Sequence, residues 1–194
     1  LLSSIDYFIL GIFLIGLPVF VKEILKGEFI VFAHLEASMA SGMIVGSVIF
    51  WIAMKRYKPV YILLFGIVMD GLTYSLLYFV HSNYIAILVL LIHGIGIPLI
   101  MVARTTLIQM TVPENLQGRL FSMIYMSVMG TTAISIGLTG VLLEYIGADI
   151  LFLIIAISSV LGACLRSLCA VPTPPNEPPS IKTVFIVLEL CIGD

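Results

Sequence analysis

The sequence runs to 194 residues, of which 61% are hydrophobic and only 10% charged, against roughly half and about a quarter in soluble domains. Its formal net charge of -2 offers neither a basic surface for nucleic acid nor an acidic tail, so the few charges matter by position. With a mean hydropathy of +1.21, an ordinary soluble domain is excluded and a chain solvated by lipid is indicated.

A helix needs about 20 apolar residues to cross the hydrocarbon core, because each residue rises only about 1.5 Å. Six stretches qualify: residues 5–25, 29–54, 60–80, 84–110, 121–147 and 150–170. They are continuously apolar and lack the alternating ten-residue pattern of lipid-facing strands, and in lipid every backbone group must be satisfied internally. The expectation is an all-α, polytopic membrane domain over residues 1–170 whose helices run alternately up and down. The chain begins at Leu1 without a methionine or basic n-region, which reads as a mid-protein start rather than a signal peptide.

Lysine and arginine in short loops orient such a bundle. Lys55, Arg56 and Lys58 follow the second stretch, Arg119 follows the fourth and Arg166 ends the sixth, all on one side. On the other side lie Lys22 and Lys26, offset by Glu23 and Glu28, with Glu144 and Asp149. The first side should be cytoplasmic, with both termini on it. After residue 170, "VPTPPNEPPS" reads as an extended linker because proline lacks the helix donor, and the apolar tail after it is too short to span. Residues 171–194 are therefore expected to form a cytoplasmic linker and tail.

Within the spans, an ionisable residue is a functional candidate by default, since placing a charge at the bilayer centre costs at least about 2.5–3.5 kcal/mol. Asp70 lies ten residues into the third stretch, with Thr73 and Tyr74 on its face at i+3 and i+4. This polar stripe should face the bundle interior, where the carboxylate could carry a proton. Arg104 is the expected partner, although it could equally reach the cytoplasmic interface. His93 and Glu36, nearer the outer side, read as part of a proton path or as residues touching interfacial water. Gln109, at a helix end, is expected to meet solvent.

Small residues carry a packing signal. Ser38, Gly42 and Gly46 recur every four residues, as do Ala133 and Gly137, a spacing that permits close helix approach. Gly94, Gly96 and Pro98 loosen the fourth stretch where a hinge would be useful. Cys164, Cys169 and Cys191 form an odd set without C-x-x-C spacing and read as small buried hydrophobes, so neither a metal nor a cofactor is expected.

An internal echo is also present: "EILKGE" from Glu23 and "ENLQGR" from Glu114 share E-x-L-x-G on opposite sides, as two inverted three-helix repeats would require. "TLIQMTVPENLQGRLFSMIYMSVMG", from Thr106 to Gly130, resembles the segment joining the tenth and eleventh helices of major facilitator superfamily transporters. It is most similar to the drug-exporter branch that includes macrolide efflux and enterobactin export proteins. "GLPVFVKEIL", from Gly16, looks like the end of the seventh helix there, and "KRYKP" sits where the superfamily repeats a basic cytoplasmic motif, here without its aspartate.

The resemblance implies the C-terminal half of a twelve-helix efflux permease in the cell membrane. Such a half would work against an N-terminal six-helix half or a second copy and move a small amphipathic molecule or siderophore against protons. It also implies that Lys55, Arg56, Lys58, Glu114, Gly118 and Arg119 border a cytoplasmic gate. The alternatives are a non-transporting scaffold and an intramembrane serine protease built on Ser41 and His93. The sequence holds no G-x-x-x-x-G-K-[ST] motif for a nucleotide-driven pump.

Overall fold

A computed structural model describes the backbone of residues 2–169, with side chains described from residue 8 to 158 apart from 146–149, 152 and 156. The Pro-rich linker, the apolar tail and Cys191 lie outside the described residues, as do the side chains of Cys164, Arg166 and Cys169. Every described element is a helix: α1 (Leu2–Glu23), α2 (Phe29–Ala53), α3 (Pro59–Tyr78), α4 (Asn83–Thr111) and α5 (Glu114–Cys169).

The boundaries have local causes. The chain leaves α1 through a cap in which the Gly27 N–H donates to the Val21 carbonyl at 2.9 Å, with Lys26 at φ 48° in the left-handed region. The left-handed residue turns the chain back so that an N–H beyond the helix reaches one of its terminal carbonyls. Pro59 supplies the first residue of α3, a position that needs no N–H donor. Val112 is extended, the conformation that a following proline favours, and Pro113 alone separates it from α5.

Gly118, which falls between the fourth and fifth expected stretches, therefore does not belong to a turn. It sits in the second turn of α5, with nothing within 4 Å of a Cβ placed on it. The two E-x-L-x-G copies are consequently not structural equivalents: Glu23 closes a helix and Glu114 opens one. Gln117 makes the difference, since its side-chain amide donates to the Val112 carbonyl at 2.9 Å and the Gln109 carbonyl at 3.3 Å, tying the end of α4 to the start of α5.

A second difference concerns the fifth and sixth stretches, expected to be separate. Helix runs through both for 56 residues, a contour of about 84 Å at the helical rise. No proline occurs in this stretch, and a glycine such as Gly147 costs a helix only about 1 kcal/mol relative to alanine. The chain therefore lacks a steric helix breaker there.

Packing turns on α4 and α5. α4 lies against α2 and α3, and α5 against α1 and α3, whereas α2 and α3 scarcely touch each other. Two apolar cores result. One joins Phe13, Leu17 and Phe20 of α1 to Leu77 of α3, Leu90 of α4 and Leu151 of α5. The other joins Phe50, Leu63, Leu99, Leu107 and Ile124 at the opposite end.

Glycines set how closely the helices approach. A Cβ at Gly42 would strike the Leu91 carbonyl oxygen, one at Gly46 the Ile95 carbonyl, and one at Gly94 the Met39 carbonyl, so α2 and α4 meet backbone to backbone. Ser38 shares this buried face of α2. The close seam of α5 is formed by Thr132, Ser135 and Thr139, all buried. Ser135 donates to the Phe8 carbonyl, beside Gly11. Ala133 and Gly137, expected on this seam, are exposed, because one residue of helix turns the side chain by about 100°.

Pro98 lies inside α4. Lacking an N–H, it leaves the Gly94 carbonyl without its helical donor.

Candidate functional site

Asp70 lies eleven residues into α3 and His93 ten residues into α4, near the middle of both helices. The carboxylate oxygen Oδ1 is 3.2 Å from His93 Nδ1, with the histidine side chain 3% exposed and the aspartate 25%. Thr73 Oγ1 donates to the Asp70 carbonyl at 2.8 Å and stands 3.1 Å from the same imidazole nitrogen. A hydroxyl has one proton to give. With it committed to the carbonyl, Nδ1 must carry the hydrogen and share it between Thr73 Oγ1 and Asp70 Oδ1, which selects the Nδ1–H tautomer of a neutral ring.

Aromatic rings shield the pair. The Tyr74 ring lies 4.7 Å from His93, while Phe13 of α1 approaches Tyr74 edge-on at 5.4 Å and His93 at 5.6 Å. Three helices thus converge on one imidazole. The ring sits behind an apolar wall, and the partly exposed carboxylate connects it to its surroundings. Chemically, the arrangement can hold or release one proton, moving between an ion pair and neutral states inside a low-dielectric bundle.

Thr73 and Tyr74 share the site with Asp70, as their spacing anticipated. His93 does not touch interfacial water: it is buried as the carboxylate's partner. Arg104 lies eleven residues beyond His93 on α4, about 16 Å along the axis, and Glu36 is half-buried on α2. The Asp70–His93 pairing could have been found by counting. Asp70 stands eight residues before the end of α3 and His93 ten after the start of α4, and two antiparallel helices joined by a short turn bring such positions to nearly the same level. Gly96 beside Met69 and Gly66 beside Leu99 follow nearly the same register.

Elsewhere, Lys55, Arg56 and Lys58 are exposed in the α2–α3 connection, and Glu114, Gly118 and Arg119 are exposed at the start of α5. The exposed Ser41 donates its hydroxyl to the Ala37 carbonyl at 2.8 Å. It stands off the face by which α2 meets α4, which gives the protease reading no nucleophile beside its base. Gln109 is exposed, as expected of a helix end. Among the described residues, no cluster of His, Cys, Asp and Glu is placed to hold a metal ion.

The outer surface completes the picture. Trp51, Phe65, Met126 and Tyr145 are 62–80% exposed, part of an apolar coat that water would not tolerate on a monomer. Among the described residues, four segments are long and apolar enough to cross a membrane: Phe29–Ala53, Pro59–Tyr78, Asn83–Thr111 and Glu114–Tyr145. The fold is that of a helical, multi-pass membrane protein. The family model of the Major Facilitator Superfamily matches residues 1–188, and the chain belongs to that superfamily, whose members are transporters and not enzymes. Neither a curated protein nor a solved structure matches the chain.

Proposed function

We propose that this chain is the C-terminal half of a proton-coupled efflux permease of the drug-exporter branch. In this reading α5 breaks between residues 147 and 150 once in the bilayer, so that six spans, arranged as two inverted three-helix repeats, cross the cell membrane with both termini in the cytoplasm. The half works with an N-terminal six-helix half or a second copy, and carries a small amphipathic molecule or siderophore outward by alternating access. The observation that supports the reading best is the Asp70–His93 pair, a titratable couple held at mid-helix by Thr73, Tyr74 and Phe13.

Proton uptake at this pair and release to the other side would exchange with substrate, the two occupancies favouring different tilts of the bundle. Lys55, Arg56, Lys58, Glu114, Gly118 and Arg119 then border the cytoplasmic closure. Exposed pairs of this kind contribute only about 0–1 kcal/mol each, enough to bias a nearly balanced equilibrium. The test is substrate efflux from vesicles under an imposed proton gradient. Asp70→Asn should abolish gradient-driven efflux while leaving the protein in the membrane, and undiminished efflux would remove the pair from the mechanism. Six further spans encoded in frame upstream of Leu1 would make the N-terminal half the partner, and a frame closed by a stop codon would leave only a second copy in that role.

A further inference from the structure

Helices α2 and α3 both lean on α4 but scarcely on each other. The space between them is a cavity of about 410 Å³. Ile49 and Ala53 form one wall, Tyr61 and Phe65 the other, Leu99 of α4 lies between them, and Tyr57 stands at the mouth. It is almost wholly apolar.

The five residues linking these walls include Lys55, Arg56 and Lys58, all exposed, and no acidic residue occurs between Glu36 and Asp70. Lys55 Nζ is held 3.8 Å from the centroid of the Trp51 ring, so one ammonium is fixed at the level where aromatic side chains mark the membrane–water boundary. An apolar slot lined by two tyrosines, next to a connection that carries three cations, matches a molecule with an aliphatic tail and an anionic head.

We propose that this groove is a binding site for an anionic phospholipid, one acyl chain lying between α2 and α3 and the phosphate meeting Lys55, Arg56 and Lys58. Lipid tails are as apolar as the slot, so filling it gives little selectivity by itself. Selectivity comes from the headgroup charge, through cations clustered at the membrane surface. The slot supplies the geometry, fixing one lipid instead of a diffuse annulus. The site depends on membrane insertion and on this cavity, and is independent of what carries protons through the chain.

The full chain, purified in a neutral detergent, would be titrated with phosphatidylglycerol, phosphatidylcholine and inorganic phosphate. Bound lipid would be read by native mass spectrometry and stabilisation by the thermal unfolding midpoint. Phosphatidylglycerol should be retained with a preference of roughly tenfold or more over phosphatidylcholine, and should raise the midpoint where inorganic phosphate does not. Both Ala53→Trp, which fills the slot and leaves every charge, and the triple change Lys55→Gln, Arg56→Gln, Lys58→Gln should lose that preference. Equal retention of the two lipids by the unaltered protein would overturn the proposal, as would stabilisation by phosphate alone or full retention in Ala53→Trp. The unaltered protein's lipid preference decides the matter even if a variant fails to fold.

Discussion

Helix α4 meets its two neighbours in different ways. Against α2 it presents Gly94 to the Met39 carbonyl and receives Gly42 and Gly46 against its own backbone, a contact with no space for a side chain. Against α3 it presents His93 to Asp70 and Thr73. The first interface is fixed by shape, and any change in distance is a collision or a gap. The second is fixed by a shared hydrogen and changes with protonation. Both contacts lie on the same turn of α4, so a shift of His93 relative to Asp70 would meet the glycine contacts with α2.

The contrast can be broken or sharpened by substitution. Gly94→Leu should have the largest effect: its side chain would have to displace the backbone of α2, at a cost of about 3 kcal/mol or more. A lowered thermal midpoint and reduced membrane-inserted protein are expected, and wild-type stability would show that α2 and α4 are farther apart than described. Asp70→Asn comes next, with gradient-driven transport lost, because the amide can no longer take up and release the proton, while the unfolding midpoint hardly moves. Thr73→Val removes the hydroxyl that shares the imidazole hydrogen and should cost about 1 kcal/mol. Thr73→Ser should restore most of it, and a valine variant indistinguishable from wild type in stability and transport would take Thr73 out of the network.

Smallest, and opposite in sign, is Gly137→Ala. With nothing within 4 Å of the added Cβ, it should stabilise α5 by up to about 1 kcal/mol through helix propensity. Gly42→Ala, made in parallel, should destabilise. If both variants shift the same way, the two glycines do not differ in surroundings as described.

The sequence revealed the helices, the membrane environment and the Asp70 stripe because each rests on local chemistry: apolar run length, hydropathy and helical spacing. The Ser38, Gly42 and Gly46 spacing correctly marks the buried face of α2, but the same spacing at Ala133 and Gly137 marks an exposed face of α5. Small residues permit close approach without saying whether a partner is there. His93 went unassigned to Asp70 because its partner comes from another helix, and depth from a span boundary carries an uncertainty of a turn or more. Counting outward from the shared turn removes that uncertainty. Gly118 falls outside the expected stretches because glycine and its polar neighbours read as a connection, although a helix tolerates a solvent-facing glycine at modest cost.

Pro98 gives α4 a mechanical property of its own. The backbone bond missing at Gly94 lies one residue past the imidazole, so bending stiffness is lowest just below the proton-holding couple. Force applied near Ala103 would turn the lower rod about this joint before straining the upper one. The aromatic shield around His93 would then stay assembled while the opposite end of the helix swings.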